Sequence, residues 1–329
     1  MVEKSFLFLE KRCVFVFMRM MDCPISVALG LAWLACPVVV QAQTDQMLRV
    51  DRGEIEVAFA SPPSQALKDL IMKRLTTSAE AVTAYYGQYP VTHLEIDVRF
   101  HPGHGVNSGK AFGWNGARIA VSVGEASTAS DFANDWVTTH EMVHLAFPSV
   151  DERHHWIQEG QAVYIEPVAR ARIGELTAEK VWGDMVDAMP QGLPKEGDRG
   201  LDYTHTWGRT YWGGAIFCLL ADVEIRKRTS NQKGLEHALR AILSSGGTIE
   251  SEWSLERAIE IGDRAVGVPV LHELYEQMKA TPVNVDLNTL WQKLGVERHN
   301  GETRFDDTAP LAAIRRAITK PVREGLGGV

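Results

Sequence analysis

The stretch Thr138-Thr139-His140-Glu141-Met142-Val143-His144-Leu145-Ala146-Phe147 ("TTHEMVHLAF") decides how the rest of the chain is read. Two histidines stand four apart, with a glutamate directly after the first. On a helix, residues four apart differ by about 40° in direction and about 6 Å in height, so His140 and His144 share a face. Both can then aim a ring nitrogen at one ion. Imidazole suits zinc, and a catalytic zinc takes three protein ligands plus a water. Glu141 stands beside that face, placed to take a proton rather than to ligate. A solvated helix with two surface histidines has the same pattern, so the reading needs a third ligand.

Two completions are testable in the sequence. One requires a glycine three residues and a histidine six residues after the second histidine. Those positions hold Phe147 and Val150, so it fails. The other takes a glutamate from the next helix. Glu159, in "WIQEGQAVY", lies fifteen residues after His144, with Pro148 turning the chain between the two helices. Its helix face also carries Trp156, Ala162 and Val163, where an unpaired carboxylate is costly unless a metal or partner holds it. Gly160 and Ala162 let that helix approach the first closely. Glu152, His154 and His155 belong to the polar "DERHH" turn, which reads as solvated, with His155 able to line the cleft. Glu159 is the third ligand chosen.

The 329 residues carry a net charge of −8 and no uninterrupted basic run, so a nucleic-acid partner has no electrostatic support. Residues 1–42 differ from the rest. "PISVALGLAWLACPVVVQA" is uncharged and mostly apolar, Lys11, Arg12 and Arg19 precede it, and Val40 and Ala42 suit signal-peptidase cleavage before Gln43. The segment ahead of Met18 is long for a signal, so Met18, Met20 or Met21 are alternative starts. A retained anchor competes, because the run barely reaches the length of a bilayer span. A lipid-modified Cys36 is disfavoured by its neighbours Trp33 and Pro37. The expected product is periplasmic or extracellular, with no stable membrane association once cleaved. Cleavage removes Cys13, Cys23 and Cys36 and leaves Cys218 alone in "AIFCLLA", a small apolar residue with no partner for a bridge.

After the signal, "MLRVD", "EIEVAFA" and "HLEIDVRF" alternate as strands. "SQALKDLIMKRLTTSAEAVTAYYG" has helical spacing between Ser64 and Gly87. "GVNSGKAFGWNG" reads as a glycine-rich loop leading into the strand "ARIAVSVG". From Ser130 the chain turns helical: one helix over "SDFANDWVTTHEMVHLAF", then "RHHWIQEGQAVYIEPVARARIG" and "TAEKVWGDMVDAM". The Pro- and Gly-rich loop "PQGLPKEGDRGLDYTHTWG" precedes the helix "RTYWGGAIFCLLADVEIRKRT" and further helices, ending in helix, hairpin, helix. The expected class is α+β: a signal peptide 1–42, a small sheet lobe with the metal-binding helix at 43–150, and a helical lobe at 151–329 carrying the third ligand. Attack on a carbonyl also needs a donor for the oxyanion, and Tyr203, His205 and Tyr211 are the candidates.

His140-Glu141-x-x-His144 followed by Trp156-x-x-Glu159-Gly160-x-Ala162-x-Tyr164 resembles the gluzincin metallopeptidases. "YWGGAIFCLLADVEIRKRTSNQKGLEHALRAIL" is similar to the helix after the zinc site in the glycyl aminopeptidase family, where a tyrosine opens a Tyr-x-x-Gly-Ala segment. The resemblance covers roughly residues 115 to 245. It implies a thermolysin-like catalytic domain with Zn2+ on His140, His144 and Glu159, Glu141 as general base and Tyr211 as oxyanion donor. It also implies a peptide or protein substrate lying along an edge strand, for which "ARIAVSVG" is the expected segment. The Gly-x-Met-Glu-Asn segment with which alanyl aminopeptidases grip a free amino terminus is absent, so endo- and exo-cleavage both stay open. Two other functions fit the same residues: a binding protein that keeps the fold without turnover, and a zinc hydrolase of a non-peptide amide or ester.

Overall fold

A computed structural model describes residues 43–322. The expected signal peptide, 1–42, lies outside the described residues. Among the described residues, no helix is long and apolar enough to cross a membrane.

The chain first builds a five-stranded mixed sheet. β1 (Gln43–Val50) and β2 (Gly53–Phe59) form an antiparallel hairpin, α1 (Gln65–Tyr86) crosses over, and β3 (His93–His101) returns parallel to β2. β4 (Val106–Phe112) and β5 (Arg118–Gly124) complete the order β1-β2-β3-β5-β4. Period-two alternation decides the buried face: Ile55, Val57, Leu94, Ile96, Val98, Ile119 and Val121 join the core, while Glu54, Glu95 and Arg99 face solvent. α1 begins where the Ser64 hydroxyl accepts the Leu67 N–H and ends at Gly87, whose φ of 79° suits a residue without a Cβ.

The edge strand differs from expectation. "ARIAVSVG" forms β5, which is paired on both sides, parallel to β3 and antiparallel to β4. The end strand on this side of the sheet is β4, from the stretch that reads as a loop. Gly, Asn and Ser have low β propensity, but pairing to β5 imposes the extended conformation on them.

The rest is helical, apart from one hairpin. α2 (Ala129–Ala133), α3 (Val137–His144), α4 (His155–Arg172), α5 (Ala178–Ala188), α6 (Gly214–Arg228), α7 (Leu235–Ser244), α8 (Leu255–Val266), α9 (Val270–Met278) and α10 (Leu287–Leu294) follow in order. β6 (Val296–His299), β7 (Glu302–Phe305) and α11 (Ala312–Ile318) complete the expected helix, hairpin, helix. The single helix expected across residues 130–147 is instead α2 and α3. Asp135 breaks it: its Oδ1 accepts the N–H groups of Val137 and Thr138 at 2.8 and 3.3 Å and restarts the chain as a new helix. α4 packs against α1, α3 and α6, so the face that carries Glu159 meets the helix of the two histidines. Cys218 is buried within α6, as its apolar surroundings suggest.

Candidate metal centre

The helix that carries both histidines is clamped from below. Arg74 of α1 donates from Nε to Asp135 Oδ2 at 3.2 Å and from Nη2 to Thr139 Oγ1 at 2.5 Å. It also pairs with Glu175, which Arg170 of α4 holds at 3.0 Å. Buried charges stay only when they are paired, so this network ties the start of α3 to α1 and α4.

On that support the ligand atoms converge. The rings of His140 and His144 stand edge to face with centroids 5.0 Å apart. Glu159 Oε2 lies 3.2 Å from His140 Nε2 and 3.7 Å from His144 Nε2. One donor atom from each of the three residues lies within 4.8 Å of the others. Ligands at 2.0–2.1 Å from a tetrahedral zinc stand about 3.3 Å apart, so the observed spacing suits that ion. The protonation states suit it too. Burial, and next the charge of His140, lower His144 to about 4, which leaves a neutral imidazole with a free lone pair. Burial works to raise Glu159, but hydrogen bonds from His140 and His155 outweigh it and keep the carboxylate ionised.

Glu141 occupies the position between this cluster and the sheet edge. Burial pushes its carboxyl up to about 7; the charge of His140 opposes this and that of Glu159 adds to it, while the Ala111 N–H of β4 hydrogen-bonds the ionised form. Its room depends on Gly109. A Cβ there would stand 2.8 Å from Val137 Cγ1 and 2.9 Å from Glu141 Oε1.

Tyr211 reaches the site from a single π-helical turn, Gly208–Gly213, that leads into α6. Such turns often mark functional positions. Its ring lies nearly parallel to that of His140, 6.4 Å between centroids and 15° between planes, and its hydroxyl is close enough to the Glu159 carboxylate to be acted on by it. Burial, then the Glu159 and Glu141 carboxylates, raise the phenol to about 12, so it keeps its proton at neutral pH. Arg209 ties the turn down through Asp198 at 2.7 Å and the Gly192 carbonyl at 2.5 Å. The other candidate donors, Tyr203 and His205, are exposed on the preceding loop and do not line the cleft. The cleft of about 560 Å³ is lined by His140, Glu141, His144, Glu159, Tyr211 and residues 107–111 of β4.

Three details depart from the sequence reading. Gly160 does not serve the approach of α4 to α3: a Cβ on it would collide with the backbone of Gly214, so the close contact is with the start of α6. His154 is buried rather than solvated, with Nδ1 2.9 Å from Asp202 Oδ1, and Asp202 also accepts from Trp156 Nε1 at 2.8 Å and Tyr275 Oη at 3.0 Å. A polar run hides this, because the partner lies forty-eight residues away. His155 lines the cleft and more: its Nε2 lies 3.3 Å from Glu159 Oε1, the oxygen not turned to the histidine pair. Its i, i+4 spacing to Glu159 is the signal that could have revealed it. Glu152 is exposed and lies apart from the cleft lining.

No family model and no curated protein matches the chain. Solved structures do. An aminopeptidase N family protein from Idiomarina loihiensis is similar over 77% of this chain and 49% of its own length, with 13% identity and a TM-score of 0.57. An M1 zinc metallopeptidase from Deinococcus radiodurans, solved with a Tyr-Ser-Ala substrate, is similar over 74% of this chain and 53% of its own, with 15% identity and a TM-score of 0.49. The chain therefore spans about half the length of the structures it resembles. The weight rests on the first, and at that identity it establishes a shared fold.

Proposed function

We propose that the chain is a zinc-dependent hydrolase of peptide bonds. The observation that carries this is the meeting of His140, His144 and Glu159 within 4.8 Å, beside a buried Glu141 and a protonated Tyr211. His140, His144 and Glu159 would hold the ion. Zinc held there would supply Lewis acidity for the attack of water on a carbonyl.

The remaining work falls to the chain's own groups. Glu141, with a carboxyl near neutrality, takes a proton from the attacking water and hands it to the leaving nitrogen. Tyr211 donates its hydroxyl to the developing oxyanion. His155 keeps Glu159 turned toward the histidine pair by engaging its second oxygen. The reading also keeps 1–42 as an export signal, places the mature chain outside the cytoplasm, and divides it into a sheet lobe, 43–150, and a helical lobe, 151–329. The fold neighbour bears an aminopeptidase name, which agrees with a peptide substrate.

The test is turnover of a peptide library by the purified chain, followed by mass spectrometry, with and without a chelator. Cleavage that a chelator abolishes and zinc restores supports the reading. A zinc-loaded chain that cleaves an ester or a non-peptide amide but no peptide overturns the substrate class.

A further inference from the structure

We infer that the cleft is built for an internal bond of an extended polypeptide and not for a free chain end. This rests on the proposed hydrolase site and adds which part of a substrate it accepts.

The first observation is the backbone of β4. Along a strand, alternate residues turn their N–H and C=O groups to the same side. β4 ends the sheet and pairs with β5 alone, so alternate residues along it turn their N–H and C=O groups to an open side. These form a short template for a partner strand, and Gly109 of the same strand lies against Glu141. Asn107 and Ser108 continue the cleft wall on one side. A substrate pairing here continues past the reaction centre and does not stop at it.

The second observation is charge. An ammonium group taken out of water needs a carboxylate partner. Among the described residues lining the cleft, the carboxylates are Glu141 and Glu159, and both are engaged: one by the Ala111 N–H, the other by His140 and His155. The remaining fixed charge on the wall is Lys110, a cation close enough to act on Glu141. A free amino terminus at this centre finds no unengaged carboxylate among these residues and has Lys110 beside it. A free carboxyl terminus would have Lys110 alone, an exposed side chain whose ammonium lies over the Phe112 ring at 5.4 Å.

The third observation is aromatic surface beside the reacting groups. Trp136 is 53% exposed with its ring edge-to-face on His140 at 5.3 Å, and Trp207 is 60% exposed, stacked on Tyr211 at 5.9 Å. Trp136, in the cleft lining, offers apolar area to a side chain flanking the bond, and Trp207 backs Tyr211 from outside that lining.

The experiment compares one decapeptide with free ends and the same peptide acetylated and amidated, using the full chain loaded with Zn2+. Binding is read from tryptophan fluorescence and products by mass spectrometry. The expected result is Kd and kcat/KM values within about threefold of each other, with identical internal cuts. Binding of the free-ended peptide more than about tenfold tighter, or release of single terminal residues, overturns the inference. So does failure of both peptides to bind. Equal binding with no cut in either supports the inference on the cleft and overturns the hydrolase reading, so the two failures are separable. Lys110→Glu supplies the carboxylate that the wall lacks, and it should shift binding toward the free amine by about fivefold. An unshifted ratio overturns the electrostatic ground of the inference.

Discussion

Gly160 of α4 lies directly against the backbone of Gly214, where the π-helical turn passes into α6. Each glycine occupies space that a side chain on the other helix would need. Glu159 precedes the first and Tyr211 stands three residues before the second, so this contact brings a metal-ligand candidate and the phenol of Tyr211 together. Gly160→Ala should separate them. The added methyl meets backbone, which cannot rotate away, and such overpacking costs about 1–3 kcal/mol. A lowered melting temperature together with reduced turnover is expected. An unchanged melting temperature would show that the helices yield at this point.

Glu159→Ala should lose most bound zinc, because two imidazoles cannot complete a three-ligand catalytic site. Metal content after gel filtration measures this. Glu152→Ala, in the exposed turn, should keep its metal. The reverse pattern would reassign the third ligand.

His155→Ala should keep the fold but weaken zinc binding by about 10–100-fold, the usual effect of removing a group that orients a ligand. His155→Gln retains a donor that can reach Glu159 and should restore part of the affinity. Competition with a coloured chelator reads both. Equal affinity in His155→Ala and the parent would leave His155 as a cleft-lining group only.

Glu141→Gln and Tyr211→Phe should each retain zinc and the folded state. The first removes the proton acceptor, and such transfers contribute about 10²–10⁴-fold. The second deletes one hydroxyl; loss of one oxyanion donor typically costs about 10²–10³-fold in kcat. The fall should appear in kcat more than in KM, since the donor acts where charge develops. Near-normal turnover by Tyr211→Phe would return Tyr211 to a packing role.

Gly109→Val tests the other wall. A side chain at 109 enters the space of Val137 and Glu141, so the glutamate must move while both histidines stay in place. Zinc content should be unchanged and turnover should drop. A variant with normal turnover would show that Glu141 does not depend on the approach of β4.

How the site could be read from the sequence follows from the range of the interactions. His140 and His144 were legible because helical spacing alone puts them on one face. Glu159 was legible because a carboxylate among apolar residues needs a partner. The strands β1, β2, β3 and β5 and the caps Ser64 and Gly87 are local patterns with local causes.

Tertiary structure decided the rest. It made an edge strand of Val106–Phe112, because pairing with β5 outweighs a weak local preference. It broke the helix before Val137, because Asp135 bonds both the new helix and Arg74, sixty-one residues away. It buried His154 against Asp202 and turned Gly160 toward Gly214, since both partners arrive from distant segments. Spacing along one helix determined which residues could hold an ion. The packing of helices against a sheet edge determined which groups surround it, because those contacts form only when distant segments meet.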